Sequence, residues 1–150
     1  MAALAAAGGS FLLAVLWFDL MFDVQVLPHR SAVLPAPVLA SIAAYYRRVT
    51  TDANPMGRLV AAVMVVTLVA LGGELVRGGA PAWKAWPSLV LVLGAVGLAG
   101  ARTVRNAVRL GGTQDPPQVQ SRLARAIFRD HIFCFVAMAL TVGLQLSQAL

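Results

Sequence analysis

The sequence predicts an all-α, four-helix transmembrane bundle with an interfacial helix in its first cytoplasmic loop. Three observations carry that expectation. Apolar residues make up 59% of the 150-residue chain and charged residues only 12%, about half the charged share of a soluble domain. The mean hydropathy is +0.78, and a soluble fold this apolar would expose aggregation-prone patches. The apolar residues fall into four continuous runs, each near the length a helix needs to cross about 30 Å of hydrocarbon. They do not alternate as barrel strands do. A chain of this length makes one integral membrane domain, with spans at about 4–26, 58–76, 86–103 and 126–147.

The first span runs from Leu4 to Val26 and opens on an alanine-rich stretch with Gly8-Gly9. It lacks the basic start of a signal peptide, and Asp19 and Asp23 follow its apolar core, so it reads as a retained helix. After Pro35 and Pro37, Val38, Ile42, Tyr45 and Val49 share one helical face. Tyr45-Tyr46-Arg47-Arg48 ends that face, which suits a helix in the interface or one packed beneath the bundle. Asn54 is placed to cap the second span, with Pro55 at its first helical position. The third span begins near Trp86-Pro87. Its Gly94, Gly97 and Gly100 lie on one side with Ala95 and Ala99. Small residues let helices approach closely in lipid, so this helix is expected to be central or at a dimer seam. Gly111-Gly112-Thr113 and Asp115-Pro116-Pro117 mark a turn without the GK[ST] of a phosphate loop. The fourth span follows a polar lead-in from about Gln118. The third and fourth spans are short unless Arg102 and Arg129 snorkel to the headgroups.

Charge sets the expected orientation. Arg30, Arg47, Arg48 and Arg58 flank the first loop, and Arg102, Arg105, Arg109, Arg122, Arg125 and Arg129 flank the third. Only Arg77 and Lys84 lie on the other side. The positive-inside rule puts the ten in the cytoplasm and both termini on the outer side of a cell membrane, such as a bacterial inner membrane. The net charge of +6 is then a matter of topology and anionic lipid, not of nucleic acid, for which no motif is present. Arg102, Arg105 and Arg109 share one helical face, as do Arg122, Arg125 and Arg129, and both stripes suit lipid headgroups. The single cysteine, Cys134, lies in an apolar segment and reads as a packing residue.

Ionisable residues inside a span are functional candidates by default. Asp19 and Asp23 lie on one face of the first span near its cytoplasmic end. Asp130 and His131 open the fourth span, and Asn106 closes the third, at matching depth. Two functions suit such a layer: a histidine general base with neighbouring carboxylates, or a hard divalent metal site. No ExxH pair supports a di-iron bundle. The structural alternative pairs Asp19 and Asp23 with Arg102, Arg105 or Arg129. Glu74 is expected to pair with Arg77 at the outer surface, and His29 to be solvated in the loop. No span carries charge through its middle, which argues against an ion pore or voltage sensor.

The second half has a helix ending in Arg102-Thr103-Val104-Arg105-Asn106, a loop, an amphipathic lead-in, then Arg129-Asp130-His131 and a final span. This arrangement resembles the small four-helix membrane proteins of the anthrone-oxygenase-like family. The resemblance implies an Asn closing the third helix and a His opening the fourth, here Asn106 and His131. It also implies oxidation of polyketide anthrones to quinones without a metal or flavin. The Trp17–Asp23 segment has no counterpart in that pattern.

Three functions follow as expectations. The first is a small membrane protein that binds a partner protein, lipid or a second copy of itself. The second is a cofactor-independent membrane oxygenase or related enzyme acting on an apolar substrate, with His131, Asp19, Asp23 and Asn106 as its catalytic set. The third is a small transporter subunit with carboxylates relaying protons. Convergence of Asp19, Asp23 and His131 on a cavity favours the enzyme, and a polar path to Glu74 or Gln145 favours transport.

Overall fold

The computed structural model describes residues 1–147, apart from the side chain of Asn54. The elements are α1 (Ala2–Asp23), α2 (Ala36–Arg47), α3 (Asn54–Arg77), α4 (Ala82–Leu98), α5 (Val104–Gly111) and α6 (Pro117–Leu146). A 3₁₀ turn at Val24–Val26 extends α1. π-helical turns at Arg48–Asp52 and Ala99–Thr103 follow α2 and α4. No strand occurs among the described residues. Four rods are long and apolar enough to cross a membrane: Ala2–Val26, Pro55–Arg77, Ala82–Gly111 and Pro117–Leu146. The chain is a multi-pass membrane protein of the all-α bundle class.

Prolines and glycines set the element boundaries. Pro37, Pro55 and Pro117 sit in the first turns of α2, α3 and α6, where a missing N–H costs nothing. Ala53, not Asn54, is the residue before the first turn of α3, and any capping by the Asn54 side chain lies outside the described residues. α3 ends on Gly78, whose φ of +63° makes the left-handed cap that favours glycine. α4 starts at Ala82, four residues before Trp86, and carries Pro87 inside it. Joined through the π turn, α4 and α5 make a rod of 30 residues, and α6 is also 30 residues long. Both rods are long enough to cross a membrane, and they include Arg102, Arg105 and Arg109 in the one and Arg122, Arg125 and Arg129 in the other.

α6 is the central helix, packing against α1, α4, α5 and α2. The third span is not central, and within the chain its glycines do not make the close contacts. Gly97 and Gly100 face open space, and Gly94 meets only the Phe133 ring edge. The close approaches belong to α1. A Cβ on Gly8 would collide with the Thr67 hydroxyl, and one on Gly9 would stand 2.9 Å from Val142. Between α1, α3, α4 and α6 lies one core cluster, with Leu12, Leu71, Val92 and Met138. A second lies beneath it, where Ile42 and Tyr46 of α2 meet Leu110 and Ile127. So α2 is tucked under the bundle, the second of the two placements its sequence suits. It buries Leu39, Ile42, Ala43 and Tyr46. Val38, Tyr45 and Val49, expected on the packing face, are only partly buried at its margin. Gly111 fixes the contact with α5, because a Cβ there would lie 2.6 Å from the backbone nitrogen of Arg47.

Candidate functional site

One end of the bundle gathers four ionisable or hydroxylated groups around one imidazole. One turn apart on α1, Asp19 and Asp23 both face inward, Asp23 being completely buried. His131, 7% exposed, comes from α6. Its Nδ1 lies 2.7 Å from Asp23 Oδ2, and its Nε2 lies 3.9 Å from Asp19 Oδ2. From below, α2 contributes two consecutive tyrosines. Tyr45 donates its hydroxyl to Asp19 Oδ1 at 2.6 Å, and Tyr46 donates to Asp23 Oδ1 at 2.7 Å. Burial, reinforced by the Asp19 and Asp23 charges, pushes both phenols well above the ordinary tyrosine value. They therefore act here as fixed donors.

The two acids differ in a way that matters chemically. Asp23 has both oxygens engaged, one by Tyr46 and one by the imidazole. Accepting from Nδ1–H fixes the ring tautomer and leaves Nε2 on the side of Asp19. Asp19 has only Oδ1 engaged, and its side chain is 15% exposed.

Asp19 and His131 open on a cavity of about 620 Å³, within the range of drug-sized ligand pockets. Its walls are almost wholly apolar, with Leu16, Val60, Met64, Val96 and Met138 above the acids. Phe22 and Tyr45, stacked at 4.0 Å between centroids, form an aromatic side. Phe18, Met56, Val104 and Val108 line the rim and are 60%, 47%, 51% and 47% exposed, so the cavity reaches the outward face of the bundle. No lysine or arginine lines it.

The remaining candidates fall elsewhere. Asp130 is buried beside His131 but belongs to a separate cluster. It accepts from Arg102 Nε at 2.9 Å, from a second Arg102 nitrogen, and from Thr103 at 3.1 Å. Arg102 is thus spent on Asp130, and no arginine pairs with Asp19 or Asp23 among the described residues. Asn106 is half-buried, does not line the cavity, and makes no side-chain hydrogen bond among the described residues. No group of three His, Cys, Asp or Glu among the described residues is placed to hold a metal ion. Cys134 is buried at the cavity wall with Sγ 3.7 Å from the Ala95 carbonyl.

The arginine stripes divide in the same way. Arg109 forms a two-point pair with Asp115, whose carboxyl it holds below the usual value. Arg125 donates to the carbonyls of His29, Ser31 and Ala32, tying the first loop to α6. Arg105 bonds its own helix at Ala101 and is exposed, as are Arg122 and Arg129. At the opposite end of the bundle, Glu74 does not pair with Arg77 among the described residues. It is 2% exposed with neither oxygen hydrogen-bonded. Lys84 reaches Ser147 instead, and Gln145 donates to Ser88 at 3.3 Å.

Tyr45 and Tyr46 are the site residues that the sequence reading missed, having been assigned to interfacial anchoring. Two adjacent hydroxyl-bearing rings at the end of an amphipathic helix were the available signal. In comparison with known proteins, the chain matches no protein-family model, no curated protein and no solved structure.

Proposed function

We propose that this protein is a membrane-embedded enzyme that uses His131 as a general base toward an apolar molecule taken from the lipid phase. One observation carries the reading. A buried Asp23–His131 pair leaves Nε2 beside a 620 Å³ apolar cavity whose rim lies on the outward face of the bundle. Asp23 holds the Nδ1 proton. Nε2 takes a proton from a C–H or O–H of the substrate. The imidazolium so formed lies between Asp23 and Asp19, whose carboxylates offset its charge. Tyr45 and Tyr46 keep both acids in place through the reaction. The apolar walls exclude water, which strengthens each of these interactions.

The resemblance to the anthrone-oxygenase-like family would make the substrate a neutral fused-ring ketone and dioxygen the oxidant. That narrower reading rests on His131 alone, since Asn106 is off the cavity. Transport is less well supported. Between His131 and Gln145, about 21 Å along α6 at 1.5 Å per residue, the inward residues are Cys134, Ala137, Met138 and Thr141. The Thr141 hydroxyl is bonded to its own helix.

In this reading the cavity faces the cytoplasmic leaflet, the ten basic residues flanking the first and third loops lie in the cytoplasm, and both termini lie outside. Of the two stripes, Arg105, Arg122 and Arg129 have no acidic partner among the described residues and are the arginines left for lipid headgroups. Accessibility of a tag on Met1 to a membrane-impermeant reagent in intact cells tests that orientation.

The catalytic claim is tested by deuterium exchange. The protein in lipid nanodiscs is incubated in D₂O with a panel of lipid-soluble carbon acids, and incorporation is read by mass spectrometry. Wild type is expected to accelerate exchange at least 100-fold over His131→Gln, with the variant retaining its thermal midpoint within a few degrees. No acceleration for any panel member, or equal rates for the folded variant, overturns the reading.

A further inference from the structure

The charge of the cavity restricts what can occupy it. Even with the imidazole protonated, His131 supplies one positive charge against the two carboxyls of Asp19 and Asp23. No arginine or lysine makes up the difference. Arg102 is engaged by Asp130, and no basic side chain other than His131 reaches the lining. Asp23 has a partner on each oxygen and is fully buried, away from any ligand. Asp19 has Oδ2, which no donor within hydrogen-bond distance engages, on a side chain that faces the cavity. An acid with one oxygen open to an apolar, membrane-level cavity is a fitting acceptor for a cationic donor. Phe18, Phe22, Tyr45 and Tyr46 line the same cavity, and aromatic faces attract a cation within about 6 Å. Acid, rings and an aliphatic chamber together match one ligand class.

We propose that the cavity binds a cationic amphiphile: a protonated amine carried on an apolar body. The ammonium donates to Asp19 Oδ2 and lies against the Phe22–Tyr45 stack. The apolar body extends along α3 and α4 past Val60, Met64 and Val96. Carboxylate and phosphate amphiphiles are excluded by the same charge. This deepens the enzyme reading, on which it rests for taking the cavity as the ligand site. A positive charge on the ligand would also offset the negative charge that proton removal leaves behind.

The test compares three probes of one chain length in neutral detergent: dodecylamine, dodecanol and dodecanoate at equal micellar fraction. The amine is expected to raise the thermal midpoint by several degrees more than either of the others. That increment should vanish in Asp19→Asn and persist in His131→Gln. A second measurement needs no variant. A lipid-soluble carbodiimide should label Asp19 of the wild-type protein, and dodecylamine should slow that labelling about tenfold where dodecanol does not. Equal stabilisation by amine and alcohol, an amine increment that survives Asp19→Asn, or labelling indifferent to the amine overturns the proposal. If Asp19→Asn does not fold, the labelling decides. An amine increment retained by an exchange-inactive wild type would sink the enzyme reading alone. Catalysis on neutral probes without an amine increment would sink this one alone.

Discussion

Replacing the Tyr46 hydroxyl probes the most buried bond of the cluster. Tyr46 is 2% exposed and Asp23 fully buried, with the hydroxyl 2.7 Å from the carboxylate oxygen. Hydrogen bonds to charged acceptors contribute about 1.5–3 kcal/mol in proteins generally, whereas interhelical bonds in a lipid-embedded bundle average about 0.6 kcal/mol with a maximum near 1.7. This bond has a charged acceptor but joins a helix beneath the bundle to a membrane span. The expected coupling is therefore about 1–2 kcal/mol. A double-mutant cycle isolates it: Tyr46→Phe, Asp23→Ala and the pair, unfolded by SDS in mixed micelles and followed by helicity. The ring stays packed against its neighbours in Tyr46→Phe, and the cost of losing the His131 partner appears in both Asp23→Ala legs and cancels. A coupling under about 0.5 kcal/mol would refute the claim that the phenol holds the acid in place.

Other measurements check the remaining geometry. The chain has two tyrosines, both in the site, so phenolate absorbance at 295 nm reports on them alone. It should stay flat to about pH 11 in the folded protein and titrate near pH 10 once unfolded. Because folding holds these protons, the contribution to stability is complete below about pH 10. It falls as the pH rises further, by up to about 1.4 kcal/mol per unit for Tyr46 and less for half-buried Tyr45. Gly111→Ala should cost roughly 1–3 kcal/mol by forcing α5 away from the Arg47 backbone, whereas Gly97→Ala, with open space around it, should cost almost nothing. Arg102→Ala should lower the unfolding midpoint clearly, because it strands buried Asp130, while Arg105→Ala should leave it nearly unchanged. Thermal or SDS unfolding distinguishes each pair.

Apolar runs declare spans because lipid tolerates little else, so the four rods were legible in composition alone. The level of Asp19, Asp23, Asp130 and His131 was legible for the same reason, since charge near a span end has a predictable depth. Partners were not. Nothing local says that Arg102 chooses Asp130 over Asp19, or that α2 tucks under the bundle and lends its tyrosines to the acids. Asn106 shows how a local irregularity defeats periodicity. Inward residues of α4 run Ala85, Ser88, Val92, Ala95, and 3.6 residues per turn would continue near 99, 102 and 106. The π turn takes up one extra residue, and the inward positions become Thr103, Ala107 and Leu110. Asn106 is rotated off the face that the unbroken pattern would give it.

The imidazole and its acid partner are 108 residues apart in the chain, one on the first rod and the other on the last. During biosynthesis, Asp19 and Asp23 emerge early and must wait without their basic neighbour until the final hydrophobic segment has been translated and inserted. Any chain arrested before that moment carries two unmatched acids toward the bilayer. Insertion of the rod that carries His131 and maturation of the polar cluster are thus one event, and quality-control machinery that senses misplaced charge would meet any copy in which that rod is not yet in place.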